Sequence, residues 1–265
     1  VSELCFGTWR FGRETNGVVE TGREESHDLL DAAADRGVNF IDTANIYGEP
    51  NGTSEEYIGE WLAEREREDY VIASKVYFPF DGRGEPGPND SGLGRKHIRA
   101  QVEGTLDRLD TDYLDIYYIH RWDEETPGRE FTSTLNEFVR SGRVHYLGAS
   151  SFRPDAWRLA RANERARQRD REPFTLVQPR YNLVDREIEG EYLDFCRDEG
   201  LAVFPWSPLA QGFLTGKYSR EEGLTGESTA SDSDRWTERY LTEENFETLD
   251  IVRAVAEETG VTPAQ

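Results

Sequence analysis

Apolar residues follow two rhythms along this chain. Short β-branched or aromatic runs occupy residues 3–7, 39–42, 70–75, 114–120, 144–149, 175–178 and 201–206. Amphipathic stretches of helical length lie between them, at 24–36, 54–66, 95–109, 129–141, 154–167 and 189–199. End signals agree with these bounds. Ser54 is placed to cap a helix, Pro154 falls in a first turn, and Gly37, Gly142 and Gly200 follow helix ends. The strand runs are mostly continuous rather than alternating, as in strands covered on both faces. Strands and helices alternating at this spacing predict a parallel sheet. Seven repeats without a break in composition favour one (β/α)8 TIM barrel, a single domain over residues 1–265. The eighth strand and helix are missing from the pattern. An irregular stretch, 207–240, follows the last strand, then a helix over 242–258, and 261–265 reads as the start of a further helix. The barrel is therefore expected to be incomplete at its C-terminal side. Residues 77–94, rich in Gly, Pro and Asp, and 225–234, rich in Ser, Thr and Asp, read as loops, the second of them mobile.

Parallel barrels place their chemistry at the C-terminal ends of the strands. The residues there are Asp42, Lys75, His120, Ser150, Gln178 and Trp206, with Tyr47 in the loop after Asp42. Each has a plainer reading on its own: Asp42 as a turn residue, Tyr47 as a loop cover, His120 as a core histidine. Lys75 resists it, because it ends the apolar run Val71-Ile72-Ala73-Ser74, where a lysine is buried unless paired. Convergence of these groups on one rim points to a site. A carboxylate, a lysine, a tyrosine and a histidine suit proton transfer to a carbonyl oxygen. The lysine is expected to lower the tyrosine pKa from its usual value near 10, the aspartate to hold the lysine, and the histidine to orient the carbonyl. Hydride has to come from a cofactor, since no side chain delivers it.

Composition narrows the partners. A formal charge of −22 argues against nucleic acid and against an anionic membrane surface. No apolar run approaches the ~20 residues of a membrane span. No secretory signal is visible, which points to the cytoplasm. Only Lys75, Lys96 and Lys217 among 31 basic residues are lysines, and this acidic, lysine-poor balance resembles proteins of halophiles, whose self-repulsion salt screens. Cys5 and Cys196 form no disulfide framework and lie in apolar surroundings, where thiols simply pack. The sequence Gly82-Arg83-Gly84-Glu85-Pro86-Gly87 matches G-x-G-x-x-G, but Pro86 and Pro88 forbid the helix that motif must open. It reads as a loop placed to close over a substrate.

The rim residues stand in longer motifs: Asp42-Thr43-Ala44-Asn45-Ile46-Tyr47-Gly48, Ala73-Ser74-Lys75, and 112–120 ending in His120. Further along come 142–150 ending in Ser150, Gln178-Pro179-Arg180-Tyr181-Asn182, and 205–218 from Pro205-Trp206 to Lys217-Tyr218. In this order, across nearly the whole chain, they resemble the aldo-keto reductases, and most nearly the branch of general stress reductases and potassium-channel β subunits. The resemblance implies a catalytic tetrad of Asp42, Tyr47, Lys75 and His120. It implies NADPH as cofactor, with NADH the alternative. Ser150 and Gln178 would bind the nicotinamide carboxamide, and Trp206 would stack on the ring. Ser207, Leu209, Gln211 and Gly212 would wrap the pyrophosphate, with Lys217 nearby and Gly7 and Thr8 beside the cofactor. Ser151 stands where many members carry asparagine. The segment that normally contacts adenosine and its 2′-phosphate is absent.

The expected activity is reduction of a small-molecule aldehyde or ketone, or the reverse oxidation. Trp9, Tyr77, Phe78 and Trp122 would form an aromatic substrate wall. The alternative is a regulatory subunit in which bound nicotinamide acts as a redox sensor with little turnover. A barrel glycosidase needs two facing carboxylates, whereas the fourth and seventh strands end in His120 and Trp206. A metal-dependent hydrolase fits no better, because the four histidines are dispersed. The sequence fixes no oligomeric state.

Overall fold

The seven apolar runs pair side by side in the order in which the chain presents them. In the computed structural model, which describes residues 1–81, 85–150, 156–220 and 234–265, strands β1 (Cys5–Gly7), β4 (Phe40–Asp42), β5 (Val71–Val76), β6 (Leu114–Ile119), β7 (Val144–Ser150), β8 (Phe174–Gln178) and β9 (Ala202–Val203) form one parallel sheet. Among the described residues the sheet has seven members, with β1 and β9 at its two edges. This curled α/β arrangement is that of an incomplete TIM barrel. Helices α1 (Arg23–Ala34), α2 (Thr53–Leu62), α3 (Arg95–Leu109), α4 (Gly128–Arg140), α5 (Ala156–Arg167) and α6 (Glu191–Glu199) connect successive strands. Helices α7 (Asp234–Tyr240) and α8 (Glu243–Thr259) follow.

The chain divides into two compact units: Val1–Gln178 with Cys196–Phe204, and Pro179–Phe195 with Pro205–Gln265. The first contains the sheet. Its interior gathers Phe40, Ala73, Ile116, Tyr118 and Leu176, with Cys5, Val71 and Phe204 packed against them. One contact explains a glycine. Tyr118 pairs in register with Gly148, and a Cβ on Gly148 would lie 2.3 Å from the Tyr118 ring. Outside the sheet, α2 and α3 approach closely at Gly59, where a Cβ would lie 2.4 Å from the Arg108 carbonyl oxygen. The fully buried Glu55 binds α3 to β5: it accepts from Arg108 Nε at 2.7 Å and from Ser74 Oγ at 2.5 Å.

The second unit has its own core of Ala210, Phe213, Leu214, Tyr218, Trp236, Tyr240, Phe246 and Leu249. Within it the buried Asp185 carboxylate receives Arg239 Nη1 at 2.5 Å and Tyr240 Oη at 2.7 Å, and Arg180 Nε stands 3.2 Å away.

Several sequence expectations need correction. Residues Glu14–Thr15 (β2) and Val18–Val19 (β3) form an antiparallel hairpin that the apolar pattern passes over, because the strands are two residues long. Its turn, Asn16-Gly17, has both residues at positive φ, 53° and 78°, the chemistry of a type I′ turn. Ser54 is not a helix cap. The cap position is Gly52, and the buried Ser54 hydroxyl lies 2.8 Å from Thr8 Oγ1 and 3.0 Å from Thr43 Oγ1. The seventh strand is cut to Ala202–Val203, although the Phe204 N–H still donates to the Val177 carbonyl at 2.9 Å. The stretch 207–240 is not wholly irregular: it contains consecutive tight turns over Ala210–Thr215, kinked at Gln211 and Gly212, and α7. Residues 261–265 close in a turn, with Gln265 N–H donating to the Thr262 carbonyl, rather than in a helix. Gly37, Gly142 and Gly200 do follow helix ends, with φ of 81°, 77° and 67°. Pro154 and 225–233 lie outside the described residues, as do 82–84 of the glycine-rich loop.

Candidate active site

Strand register builds the rim. Asp42 is the last residue of β4, Lys75 the penultimate residue of β5, and Ser150 and Gln178 end β7 and β8. His120 follows β6, its N–H held by the Val76 carbonyl at 2.9 Å. Thus five of the predicted residues reach one edge of one sheet because their strands are parallel and in step.

At that edge Lys75 is fully buried, and its ammonium has three hydrogens to place. They go to Asp42 Oδ2 at 2.6 Å, to the Thr43 carbonyl at 2.7 Å and to Tyr47 Oη at 3.3 Å. The other Asp42 oxygen accepts from Gln178 Nε2 at 2.9 Å, and Ser150 Oγ donates to the Gln178 carbonyl at 3.1 Å. The Thr43 carbonyl is a member that residue-type reasoning missed, because a main-chain oxygen leaves no mark in the sequence. The His120 ring stands edge-on to Tyr47, centroids 6.1 Å apart, and its Nδ1 is buried without a hydrogen-bond partner.

Burial dominates the electrostatics. It pushes the Tyr47 pKa above the usual tyrosine value; Lys75 pulls down and Asp42 pushes up, and the balance is a raised value. Lys75 acts in the expected direction, but the net shift is upward because the cost of a desolvated phenolate exceeds what the ammonium returns. For Lys75, burial opposes the charge, but Asp42 and Tyr47 more than offset it, so its pKa is raised and it stays an ammonium. Burial and the neighbouring Lys75 charge together hold His120 well below the usual histidine range, hence neutral. Cys5, under the same rim, is pushed far up by burial and stays a thiol.

The aromatic set divides. The Phe78 ring lies 4.9 Å from His120, and Tyr77 packs 5.2 Å from Phe78, so both line the rim. Trp9 is exposed and carries the Arg13 guanidinium 4.1 Å over its ring. Trp122 packs instead on Phe131, 5.1 Å away, and lines a cavity between α4 and α5.

The residues predicted to hold a cofactor fall in both units. In the first, Gly7 is exposed with open space where a Cβ would stand. Thr8 is buried and spends its hydroxyl on the Asp42 carbonyl and Ser54. In the second, Trp206 has a buried Nε1 without a partner. The turn after it holds three residues other than glycine at positive φ: Ser207 at 54°, Ala210 at 51° and Gln211 at 53°, followed by Gly212 at 96°. Such conformations cost about 1–3 kcal/mol each and cluster at ligand sites. Asn182 Nδ2 donates to the Ser207 carbonyl at 3.0 Å, and Leu209 anchors the turn on the second core. Lys217 is exposed, its Nζ 3.3 Å from where a Gly212 Cβ would sit. Ser151 lies outside the described residues. No helix among the described residues is long and apolar enough to cross a membrane.

Comparison with known proteins bears on the chain as a whole. The profile of the Aldo/keto reductase family matches residues 3–265. The chain is 39% identical over 254 residues to "Uncharacterized oxidoreductase YrpG" of Bacillus subtilis (strain 168), covering 94% of this chain and 74% of that protein. It is 38% identical over 217 residues to "Aryl-alcohol dehydrogenase GME11368" of Pestalotiopsis microspora, covering 81% of this chain and 56% of that protein. It is 36% identical over 276 residues to "Probable voltage-gated potassium channel subunit beta" of Arabidopsis thaliana, covering all of this chain and 78% of that protein. With a profile match over nearly its full length and a parallel sheet that gathers Asp42, Lys75 and His120 at one edge, the chain belongs to the aldo/keto reductase family of oxidoreductases.

Proposed function

We propose that this protein reduces an aldehyde or ketone to an alcohol with a nicotinamide cofactor, Tyr47 giving the proton. The observation that carries this reading is the direction of the Lys75–Tyr47 hydrogen bond. Lys75 donates to the phenolic oxygen, so the phenol's own hydrogen points to no acceptor in this network. A raised pKa keeps that hydrogen in place through neutral pH. When the proton leaves, the negative charge forms on an oxygen already receiving an ammonium hydrogen, which stabilises it at the moment of transfer. Asp42 holds the ammonium from the opposite side. Neutral His120 orients the carbonyl oxygen as a hydrogen-bond donor.

The donor set also fits a nicotinamide cofactor, which supplies the hydride when bound. Ser150 and Gln178 offer hydroxyl and amide groups for a carboxamide. In the second unit the Trp206 indole, whose Nε1 has no hydrogen-bond partner, the turn through Ser207, Leu209, Gln211 and Gly212 with its left-handed residues, and Lys217 suit a ring and a pyrophosphate. Gly7 and Thr8 complete this assignment. NADPH is the cofactor proposed, NADH the alternative. Phe78 and Tyr77 beside His120, with Trp9, favour an aromatic carbonyl, in keeping with the relative named for aryl alcohols. The cytoplasm and a saline interior are the proposed setting, so the assay belongs in molar KCl, where the −22 charge is screened.

The test is NADPH oxidation with 4-nitrobenzaldehyde, wild type beside Tyr47→Phe. Turnover that collapses in the variant while cofactor binding persists supports the proposal. Tight binding without turnover on any carbonyl of a broad panel favours a sensor subunit, a reading supported by the channel-subunit relatives. Binding of neither NADPH nor NADH sinks both.

A further inference from the structure

The first unit contains a concave site that none of the rim residues lines. A cavity of about 550 Å³ opens between α4 and α5, and none of the four tetrad residues lines it. Its volume is within the range of roughly 300–1,000 Å³ usual for small-ligand pockets. In a chain with 53 acidic residues, its lining carries Arg129, Arg158, Arg161, Arg165, Arg169 and Arg171 against the single carboxylate of Glu124. Glu124 pairs with Arg158. The other five arginines make no ion pair among the described residues.

The α5 dipole favours Arg165, which stands in its last turn, but two features of the cluster work against it. Arg161, Arg165 and Arg169 follow one another at four-residue intervals along α5 and just beyond it, so like charges face each other on one stripe. Arg129 stands in the first turn of α4, the end of a helix dipole that disfavours a cation. The like-charge spacing and the placement of Arg129 are both unfavourable terms that a bound anion would relieve. The same cavity is lined by the Trp122 and Trp157 indoles, and the Arg158 guanidinium lies 6.0 and 5.2 Å from their rings. Trp157 is nonetheless 56% exposed, an unusual amount for an indole.

We propose that this cleft binds a polyphosphate anion, the arginine forks taking the phosphates and Trp157 offering a face to a planar ring. The phosphates could come from a nucleoside triphosphate or from an inorganic chain, and the test separates the two. The wild-type protein is titrated calorimetrically with ATP and with tripolyphosphate at low ionic strength, and the cleft variants below assign the binding to this site. Both are expected to bind. The double variant Arg161→Glu/Arg165→Glu should weaken both roughly 100-fold, about tenfold for each lost charge-assisted contact. An Arg161→Gln/Arg165→Gln variant with the wild-type melting temperature guards against misfolding and should show the same loss to a smaller extent. Carbonyl reduction is unaffected in these variants, so failure here and failure of the reductase reading are told apart. If Trp157→Ala weakens ATP alone, the ligand is a nucleotide; if it changes neither titration, the site takes inorganic polyphosphate. Absence of binding to the wild type, or equal binding to the wild type and both double variants, overturns the proposal.

Discussion

Two buried carboxylates in this protein have the same company and opposite uses. Asp42, in the first unit, is hydrogen-bonded to a cation that also reaches a tyrosine: Lys75, then Tyr47. Asp185, in the second, has Arg239, Arg180 and Tyr240. The difference lies in where the phenol hydrogen goes. Tyr240 spends it on the carboxylate, which also raises the Tyr240 pKa beyond what burial does alone. Tyr47 touches no carboxylate; its oxygen accepts from the ammonium and its hydrogen stays available. One set of residue types is thus a structural clamp in one place and the proposed proton donor in the other. Connectivity, rather than composition, separates them.

The sharpest break in this comparison is a pair of phenylalanine variants. Tyr47→Phe removes the proton donor and should lower carbonyl turnover roughly 10³–10⁴-fold, since general acids contribute on that scale. Tyr240→Phe should leave turnover within twofold and lower stability by about 1 kcal/mol, one hydrogen bond's share. Steady-state rates on both variants decide it; equal rates would erase the distinction.

Next in size are the carboxylates themselves. Lys75 has no exposure, so Asp42→Ala strands a buried ammonium and should cost about 3–5 kcal/mol in urea unfolding. The side chains of Arg180 and Arg239 are 17% and 34% exposed and reach water once released, so Asp185→Ala should cost only about 1–3 kcal/mol. The reverse order would mean that the second unit depends more on its ion cluster than the first does on its rim.

How much of this was legible beforehand follows the same division. Asp42, Lys75, His120, Ser150 and Gln178 could be read from the sequence because parallel strands in step carry their last residues to one edge, and strand ends show in the apolar pattern. The clamp at Asp185 could not. Its partners lie 54 and 55 residues away in α7, a seven-residue helix too short to register as periodicity. The Asn16-Gly17 hairpin has a signal in its dipeptide, but its two-residue strands leave none in the apolar pattern. Ser54 misled in the other direction: a serine at a helix start usually caps it, but here the hydroxyl is drawn inward by Thr8 and Thr43. The sign of the Tyr47 shift was equally out of reach, because it depends on how deeply the phenol is buried and not only on its neighbours.

That sign sets the smallest prediction, in pH. His120 is held well below its unfolded value of about 6.5. Under acid conditions the unfolded chain takes up a proton that the folded imidazole refuses, so stability falls as pH drops through about 6.5. Tyr47 and Lys75 are raised above about 10 and 10.4, and the folded state keeps protons that the unfolded chain releases. Their contribution is intact below those values and is lost as pH climbs past them. Between the two limits the phenol is protonated, the imidazole neutral and the ammonium charged, so carbonyl turnover should be level from about pH 7 to about pH 10. A Tyr47 pulled down by Lys75 would instead give a rate that falls through pH 7–9. A pH–rate profile at saturating cofactor therefore tells which of the two forces on the phenol, burial or the ammonium, governs the working enzyme.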